Sequence, residues 1–416
     1  MSKRVVISGL GVLSCLGHDV DTFWNNLVNG ECGIDYIQEF PTDNLEVKIG
    51  GEIRNFNPAD YGMDRSFIRK QDKFVLYAVA SAYQALKDSG LQPGENIDPF
   101  RLGVYMGSGI GGFETIHNEV TKVADDPSCR WISPSFVPTI IGNMAAGQVA
   151  IQLKANGPCI DVVTACATSS HSIGEAYRAI KHGYADAIIS GGSDNAVIPI
   201  GVSAFANAKT LSKIEDPKKA SLPFNARRNG FVMAEGSAVL ILEELEHAKA
   251  RGAKIYAEVV GYGSTCDAYH ATAPRKDGST QARCISDALA EAGFEPSKDN
   301  LYINAHGTAT HLNDLTETLA IKAALGENAY KAHISSTKSM HGHMLGATGA
   351  AEAIICVQAL RHGIVPATIN LDTPDPELDL DYTPNEAVRS DISIAISNSF
   401  GFGGHNACLA FRKFED

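Results

Sequence analysis

Two stretches far apart in this chain spell the same unit. "YQALKDSGLQPGENID" followed by "RLGVYMGSG" is matched by "SDALAEAGFEPSKDN" followed by "LYINAHGT". In each, a helical pattern ends at glycine, turns through proline and leads into a strand-like run. "GEAYRAIKHGYADAIIS" is matched by "AEAIICVQALRHGIVPATI", and "RVVISGLGVLSCLG" has a weaker echo in "AEVVGYGSTCDA". Helical segments alternating with short Val/Ile-rich runs indicate parallel or mixed sheets covered by helices. Two copies of such a unit point to an α/β fold with layers αβαβα and two pseudo-symmetric halves sharing one interface. The expected division is 1–254 and 255–416, with the larger insertions in the first half at residues 32 to 70 and 113 to 137.

With 416 residues the chain exceeds one ordinary core, in keeping with two halves. No apolar run is long enough to span a bilayer, and the strand pattern begins too near the first residue to leave room for a signal peptide. The nine cysteines form no CxxC pair, so free thiols and a cytoplasmic location are expected. A net charge of −13 argues against nucleic-acid binding, which depends on Lys and Arg neutralising phosphates. Any acidic partner must meet a local basic patch. Arg65, Arg69 and Lys70 in "RSFIRKQDKF" offer one, with Arg130 and Lys209 as additions from elsewhere.

"GSGIGG", residues 107 to 112, has the spacing of a dinucleotide loop, but no acidic residue closes a following strand at the required distance. Its glycines are expected to allow close backbone approach near a substrate channel. "VVTACATSSHSIGEAYRAIKHG" carries more chemistry. A buried strand is expected to end near Thr164 and a helix to run from Ala167 to Ile180. Cys166 then falls at a strand-to-helix turn, where helix N–H groups and the dipole lower a thiol pKa.

A nucleophilic cysteine needs a base or an electrostatic partner. His306 in "NAHGTATHLNDLTE" and His343 in "SSTKSMHGHMLGATGAAEA" each occupy a small-residue turn after a short strand. From such turns residues at a sheet edge reach a ligand. His341 and His343 form a His-x-His pair, but nothing else has metal-ligand spacing, so no metal is expected.

The set "ACATSS", "AHGTATHLND", "STKSMHGHMLGATGAAE" and "SNSFGFGGHN" resembles the Cys-His-His β-ketoacyl-[acyl-carrier-protein] synthases, over essentially the whole chain. The resemblance implies a thiolase fold, a homodimer and no cofactor of its own, the phosphopantetheine arriving on acyl carrier protein. It implies that Cys166 takes an acyl chain as a thioester, with the N–H groups of Cys166 and Phe402 as oxyanion hole. His306 and His343 would then stabilise the enolate formed when a malonyl thioester loses carbon dioxide. Lys338 would order the histidine pocket and Glu352 pair with it. Thr308, Thr310 and Thr272 would lie near the malonyl and pantetheine end. Phe402 would be the gate with Phe400 beside it, and Ile110, Gly201 and Phe205 would line the acyl pocket. Arg69, Lys70, Arg130 and Lys209 fall where the family carries docking charges.

The implied reaction is decarboxylative Claisen condensation in fatty acid elongation; the alternative is a ketosynthase of a polyketide or aryl-polyene pathway. A thiolase would carry a second cysteine where this chain has "GFGGHN", and the initiating synthase would have asparagine where His343 stands. The chain departs from the family at His405 and His311, at Asn225, Asn229 and Ala234, and at Asp194-Asn195. His405 puts an extra titratable residue beside the gate.

Overall fold

The computed structural model describes residues 2–415, and its centre is one ten-stranded mixed sheet. In chain order the strands are β1 (Val5–Leu13), β2 (Leu102–Gly107), β3 (Cys159–Ile160), β4 (Ala187–Asp194) and β5 (Gly236–Glu244). The second half adds β6 (Ala257–Cys266), β7 (Leu301–Asn304), β8 (His333–Ser335), β9 (Ile394–Gly401) and β10 (His405–Arg412). Their spatial order is β8-β7-β9-β10-β6-β1-β5-β4-β2-β3. Each half therefore repeats the other's order, and the halves meet where β1 pairs antiparallel with β6 through Val5, Val6 and Ile7. The outermost pairings in both halves are parallel, β2 with β3 and β7 with β8.

The repeat noticed in the sequence is a repeat of packing. The helix Lys73–Ser89, capped by Asp72, lies on β1, where side chains on Gly9 and Gly11 would strike the Ala85 and Ser81 carbonyls at 2.2 and 2.1 Å. In the second half, side chains on Gly261 and Gly263 of β6 would strike the Ala288 and Cys284 carbonyls of the helix Ser279–Glu291 at 2.1 and 1.9 Å. "SGLG" and "VGYG" are thus the same device, a glycine pair that lets an outer helix rest on strand backbone.

Between the two half-sheets run the helices Thr168–Lys181 and Thr348–His362. Every residue from Thr348 to Leu360 is buried, as expected for a helix covered on all sides. Ile173, Ile180, Ile354 and Val357 share one core with Leu240 of the first half and Val259 and Leu409 of the second. Truncating one of these isoleucines to alanine should cost about 2–5 kcal/mol. The resulting layers are αβαβα. The insertion at residues 32 to 70 carries the small sheet Asp35–Tyr36 with Ile49–Gly50, and the insertion at 113 to 137 the helix Phe113–Asp125. Among the described residues no helix is long and apolar enough to cross a membrane.

One expected element differs. The strand before the nucleophile is not a buried run ending at Thr164. It spans only Cys159–Ile160, both exposed, because β3 is an edge strand paired on one side alone, to Val104 and Tyr105. Residues 161–164 leave the ladder, and the Val162 carbonyl packs where a side chain on Gly107 would be, 1.9 Å from its Cβ. The first glycine of "GSGIGG" therefore serves close backbone approach.

Candidate active site

Cys166 sits in a single 3-10 turn, Ala165–Ala167, and the α-helix begins one residue later than the sequence indicated, at Thr168. Ala165 holds a left-handed φ of 51°, a strained conformation next to the nucleophile. The turn after β9 closes over this strand-to-helix junction. A side chain on Gly401 would lie 2.6 Å from the Thr164 carbonyl and 3.2 Å from the Cys166 nitrogen.

The thiol does not have the depressed pKa expected of a helix N-terminus. Burial pushes it up to about 11, against the opposing pull of the Lys338 charge and of N–H bonds from Phe402 and Cys166 itself. Desolvation of the thiolate outweighs those donors. Both N–H groups lie close to the sulfur.

His306 follows β7. Its N–H and that of Gly307 each donate to one oxygen of Glu317, both at 2.8 Å, so one buried carboxylate fixes the turn that carries the imidazole. His343 is held by its N–H on the Val232 carbonyl at 2.7 Å and by Nδ1 against the Thr348 hydroxyl at 3.0 Å. When Thr348 donates to Nδ1, Nε2 carries the proton. The two rings stand edge to face with centroids 5.5 Å apart, and Phe400 and Phe231 pack against them at 5.8 and 5.1 Å. Burial, with the Lys338 charge as second cause, holds both imidazoles well below their ordinary pKa. They are neutral N–H donors at physiological pH.

Lys338 is itself buried and bonds Glu352 at 2.5 Å. Burial raises Glu352 to about 7, and the Lys338 charge works against that rise. His341, the other half of the His-x-His pair, bonds the Thr337 hydroxyl at 3.0 Å. Among the described residues no group of three or more His, Cys, Asp or Glu is arranged to hold a metal ion.

One cavity joins these groups. Cys166, His306 and His343 line it together with Phe400 and Phe402. Thr308, Thr310, Thr272 and Phe205 also reach it. Ile110 and Gly201 do not. Ile110 packs in the apolar cluster beside the cavity with Phe205 and Val202, and Gly201, in the helix Pro199–Asn207, packs on the segment before that helix, a side chain there meeting the Ala196 carbonyl at 2.2 Å. Arg69, Lys70, Arg130 and Lys209 are all exposed; Arg69 and Lys70 follow the one-turn helix Arg65–Ile68, and the Lys70 carbonyl accepts from Thr139.

The sequence matches the β-ketoacyl synthase N-terminal domain over residues 2–248 and the β-ketoacyl synthase C-terminal domain over residues 256–372. The chain belongs to the β-ketoacyl synthase family. It is 49% identical over 415 residues to 3-oxoacyl-[acyl-carrier-protein] synthase 2 of Staphylococcus aureus strain COL, covering 100% of this chain and 99% of that one. It is 47% identical over 414 residues to the protein of the same name from Synechocystis, covering 99% of each. Among solved structures, a type II PKS ketosynthase in complex with its acyl-carrier protein aligns with TM-score 0.92 and 34% identity, covering 100% of both chains. A β-ketoacyl synthase from Burkholderia phymatum aligns with TM-score 0.91 and 33% identity, covering 99% of this chain and 100% of that one. The fold is the thiolase fold.

Within this β-ketoacyl synthase several supporting residues were given no role by the sequence reading. Asp194, at the end of β4, is fully buried and accepts from Ser108 Oγ, Gly109 N, Ile110 N and Gly346 N at 2.6, 3.0, 3.3 and 2.6 Å. It ties the "GSGIGG" loop to the turn after His343. The sequence signal was a carboxylate closing an apolar strand; for Glu317 it was a charge inside the helix His311–Leu325. Thr348 carried no such signal. His405 begins β10 beside the gate, its ring 6.4 Å from that of His171, whose pKa falls to about 4 through burial and then the His405 charge.

Proposed function

We propose that this protein catalyses decarboxylative Claisen condensation between an acyl thioester and malonyl-[acyl-carrier protein], giving 3-oxoacyl-[acyl-carrier protein] in fatty acid elongation. The observation that carries it is the meeting of Cys166, His306 and His343 in one cavity, with both imidazoles neutral. Identities of 47–49% over full length to 3-oxoacyl-[acyl-carrier-protein] synthase 2 proteins favour fatty acid elongation over a polyketide pathway, where the solved relative is 34% identical.

Cys166 attacks the carbonyl of the incoming acyl thioester, its proton leaves with the pantetheine thiol, and the chain stays on sulfur. The N–H groups of Cys166 and Phe402 hold the tetrahedral oxyanion. The malonyl thioester then loses carbon dioxide, and its electron pair moves onto the thioester oxygen as an enolate. Imidazole N–H groups of His306 and His343 stabilise that charge without supplying a proton to the carbon. The enolate carbon attacks the acyl-cysteine, the new carbon–carbon bond forms, and the Cys166 thiolate departs and is reprotonated. Thr308, Thr310 and Thr272 face the malonyl arm, and Phe402 gates its entry.

The partner is acyl carrier protein, met by Arg69, Lys70, Arg130 and Lys209. The phosphopantetheine is the carrier's, and the synthase needs no cofactor or metal of its own. The expected compartment is the cytoplasm. A homodimer would cover the open edge of β3, around which Ile160 and Val163 are exposed at 45% and 55%; sedimentation at micromolar concentration tests it.

The deciding experiment is intact-protein mass after mixing with saturated acyl-carrier proteins, with Cys166→Ala as control, followed by malonyl-carrier protein. A thioester adduct that needs Cys166 and converts to a product two carbons longer supports the reading. Release of free acid, or no adduct with any chain, overturns it.

A further inference from the structure

Gln281 stands in the first turn of the helix Ser279–Glu291 and lines the catalytic cavity, yet it is only 1% exposed. Among the described residues neither its Nε2 nor its Oε1 has a hydrogen-bond partner. A buried carboxamide left without partners costs free energy on both its donor and its acceptor. Two other polar residues of the same cavity are paired. Asp267, also on the cavity wall, accepts from Arg275 N, Thr280 and Asn406, and Asn313 donates to Asp314. The exposed Thr272 and partly exposed Ala273 and Pro274 line the same cavity, so the wall that carries Gln281 includes its open side.

We infer that Gln281 is a specificity-determining residue that hydrogen-bonds an amide of the pantetheine arm carrying the thioester. This deepens the ketosynthase reading and rests on it. A carboxamide offers a carbonyl acceptor and N–H donors, and the secondary amides of the pantetheine arm offer both kinds of group, so Oε1 can accept an amide N–H while Nε2 donates to a carbonyl of the arm. A carboxylate would leave Oε1 of Gln281 unpaired, and a saturated acyl chain would leave both atoms so. The pantetheine arm brings amides through this cavity toward Cys166, while an acyl chain brings none.

The test uses unreactive thioether probes, so that it does not depend on turnover: S-propyl-pantetheine, S-propyl-N-acetylcysteamine and the amide-free 2-(propylthio)ethanol. Dissociation constants are measured by calorimetry for the wild-type protein, Gln281→Met and Gln281→Ala. Losing two hydrogen bonds should weaken S-propyl-pantetheine roughly tenfold in both variants, while leaving the amide-free probe unchanged. Gln281→Met should unfold at or above the wild-type temperature, because it removes two unpaired buried polar atoms. S-propyl-N-acetylcysteamine retains only the amide nearest sulfur, so weakening of this probe too assigns that amide, and its insensitivity assigns the outer one. Equal affinity of wild type and Gln281→Met for S-propyl-pantetheine overturns the inference, leaving Gln281 as a water site. Equal weakening of all three probes also overturns it, since the residue would then act through cavity shape. Failure of wild-type protein to elongate would count against the ketosynthase reading and would leave the amide-dependent difference between probes intact.

Discussion

Lys338 and Glu352 form a buried ion pair, Nζ to Oε1 at 2.5 Å, with side chains 2% and 0% exposed. The Lys338 charge lowers the proton affinity of His306, His343 and Cys166 together, and it faces all three from one short helix. A buried charge with a single partner is a poor source of net stability, because desolvation offsets the attraction. Its use here is electrostatic, keeping two imidazoles neutral and favouring a thiolate that burial disfavours.

Lys338→Met should therefore raise the pKa of both histidines, moving the acid limb of malonyl decarboxylation to higher pH, and should slow alkylation of Cys166. Stability should fall by about 3–5 kcal/mol, because Glu352 is left buried without its partner. The double variant Lys338→Met, Glu352→Leu should recover most of that stability and none of the pH shift. Decarboxylation profiles and urea unfolding measure the two effects. An unmoved acid limb in the single variant would sink the electrostatic role.

Glu317 acts on His306 through the backbone. Glu317→Gln can still accept one of the two N–H bonds from His306 and Gly307 but puts an N–H donor where the other acceptor stood. The stability cost should be about 1–3 kcal/mol. Because the turn aims the imidazole, kcat for elongation should drop while KM for malonyl-carrier protein holds. A rise in KM alone, with kcat intact, would show that the carboxylate serves the carrier's approach instead.

How much of this was legible in sequence depends on the kind of interaction. The two halves and the outer helices follow from repeated glycine, proline and apolar spacing, and the paired Gly9/Gly11 and Gly261/Gly263 contacts give the physical basis of the echo. Cys166, His306 and His343, which line one cavity, were singled out because each sits in a small-residue turn. The buried carboxylates were not, because what makes Asp194 and Glu317 important is which backbone N–H groups come to them from residues 108–110, 346, 306 and 307. The raised Cys166 pKa escaped for the same reason: the helix N-terminus is local and visible in the chain, whereas burial comes from β9 and its turn. Ile110 and Gly201, which the resemblance places on the acyl pocket, pack beside this cavity and against the Ala196 carbonyl.

Arg69 and Lys70 are adjacent in sequence and Arg130 and Lys209 distant from them; all four are exposed, so their contribution to carrier docking should be collective and screened by salt. Charge reversal of Arg69 and Lys70 together should raise KM for malonyl-carrier protein about tenfold at low salt, with the difference shrinking at high salt. KM for malonyl-pantetheine, which lacks the acidic protein, should not move. Steady-state kinetics with both substrates at two ionic strengths reads this out. Equal changes for both substrates would mean that the substitutions disturb the cavity rather than the docking face.

The last expectation concerns stability against pH. Burial lifts Glu235 to about 8 in the folded protein, above an ordinary value of 4.5, with Glu39 and Glu52 adding to the rise and Lys73 and the Ile53 N–H opposing it. The folded state thus binds a proton that the unfolded chain has released between those two values. Stability contributed by this group is fully present below about pH 4.5 and is lost as pH rises through 8. Glu235→Gln keeps an acceptor for the Ile53 N–H at 2.6 Å and removes the titration. The variant should be as stable as wild type near pH 5 and more stable near pH 8, by a margin that grows across the interval. Urea unfolding of both proteins at half-unit steps from pH 5 to 8.5 measures the margin directly. A constant difference across that range would mean that Glu235 is ionised throughout, held so by Lys73.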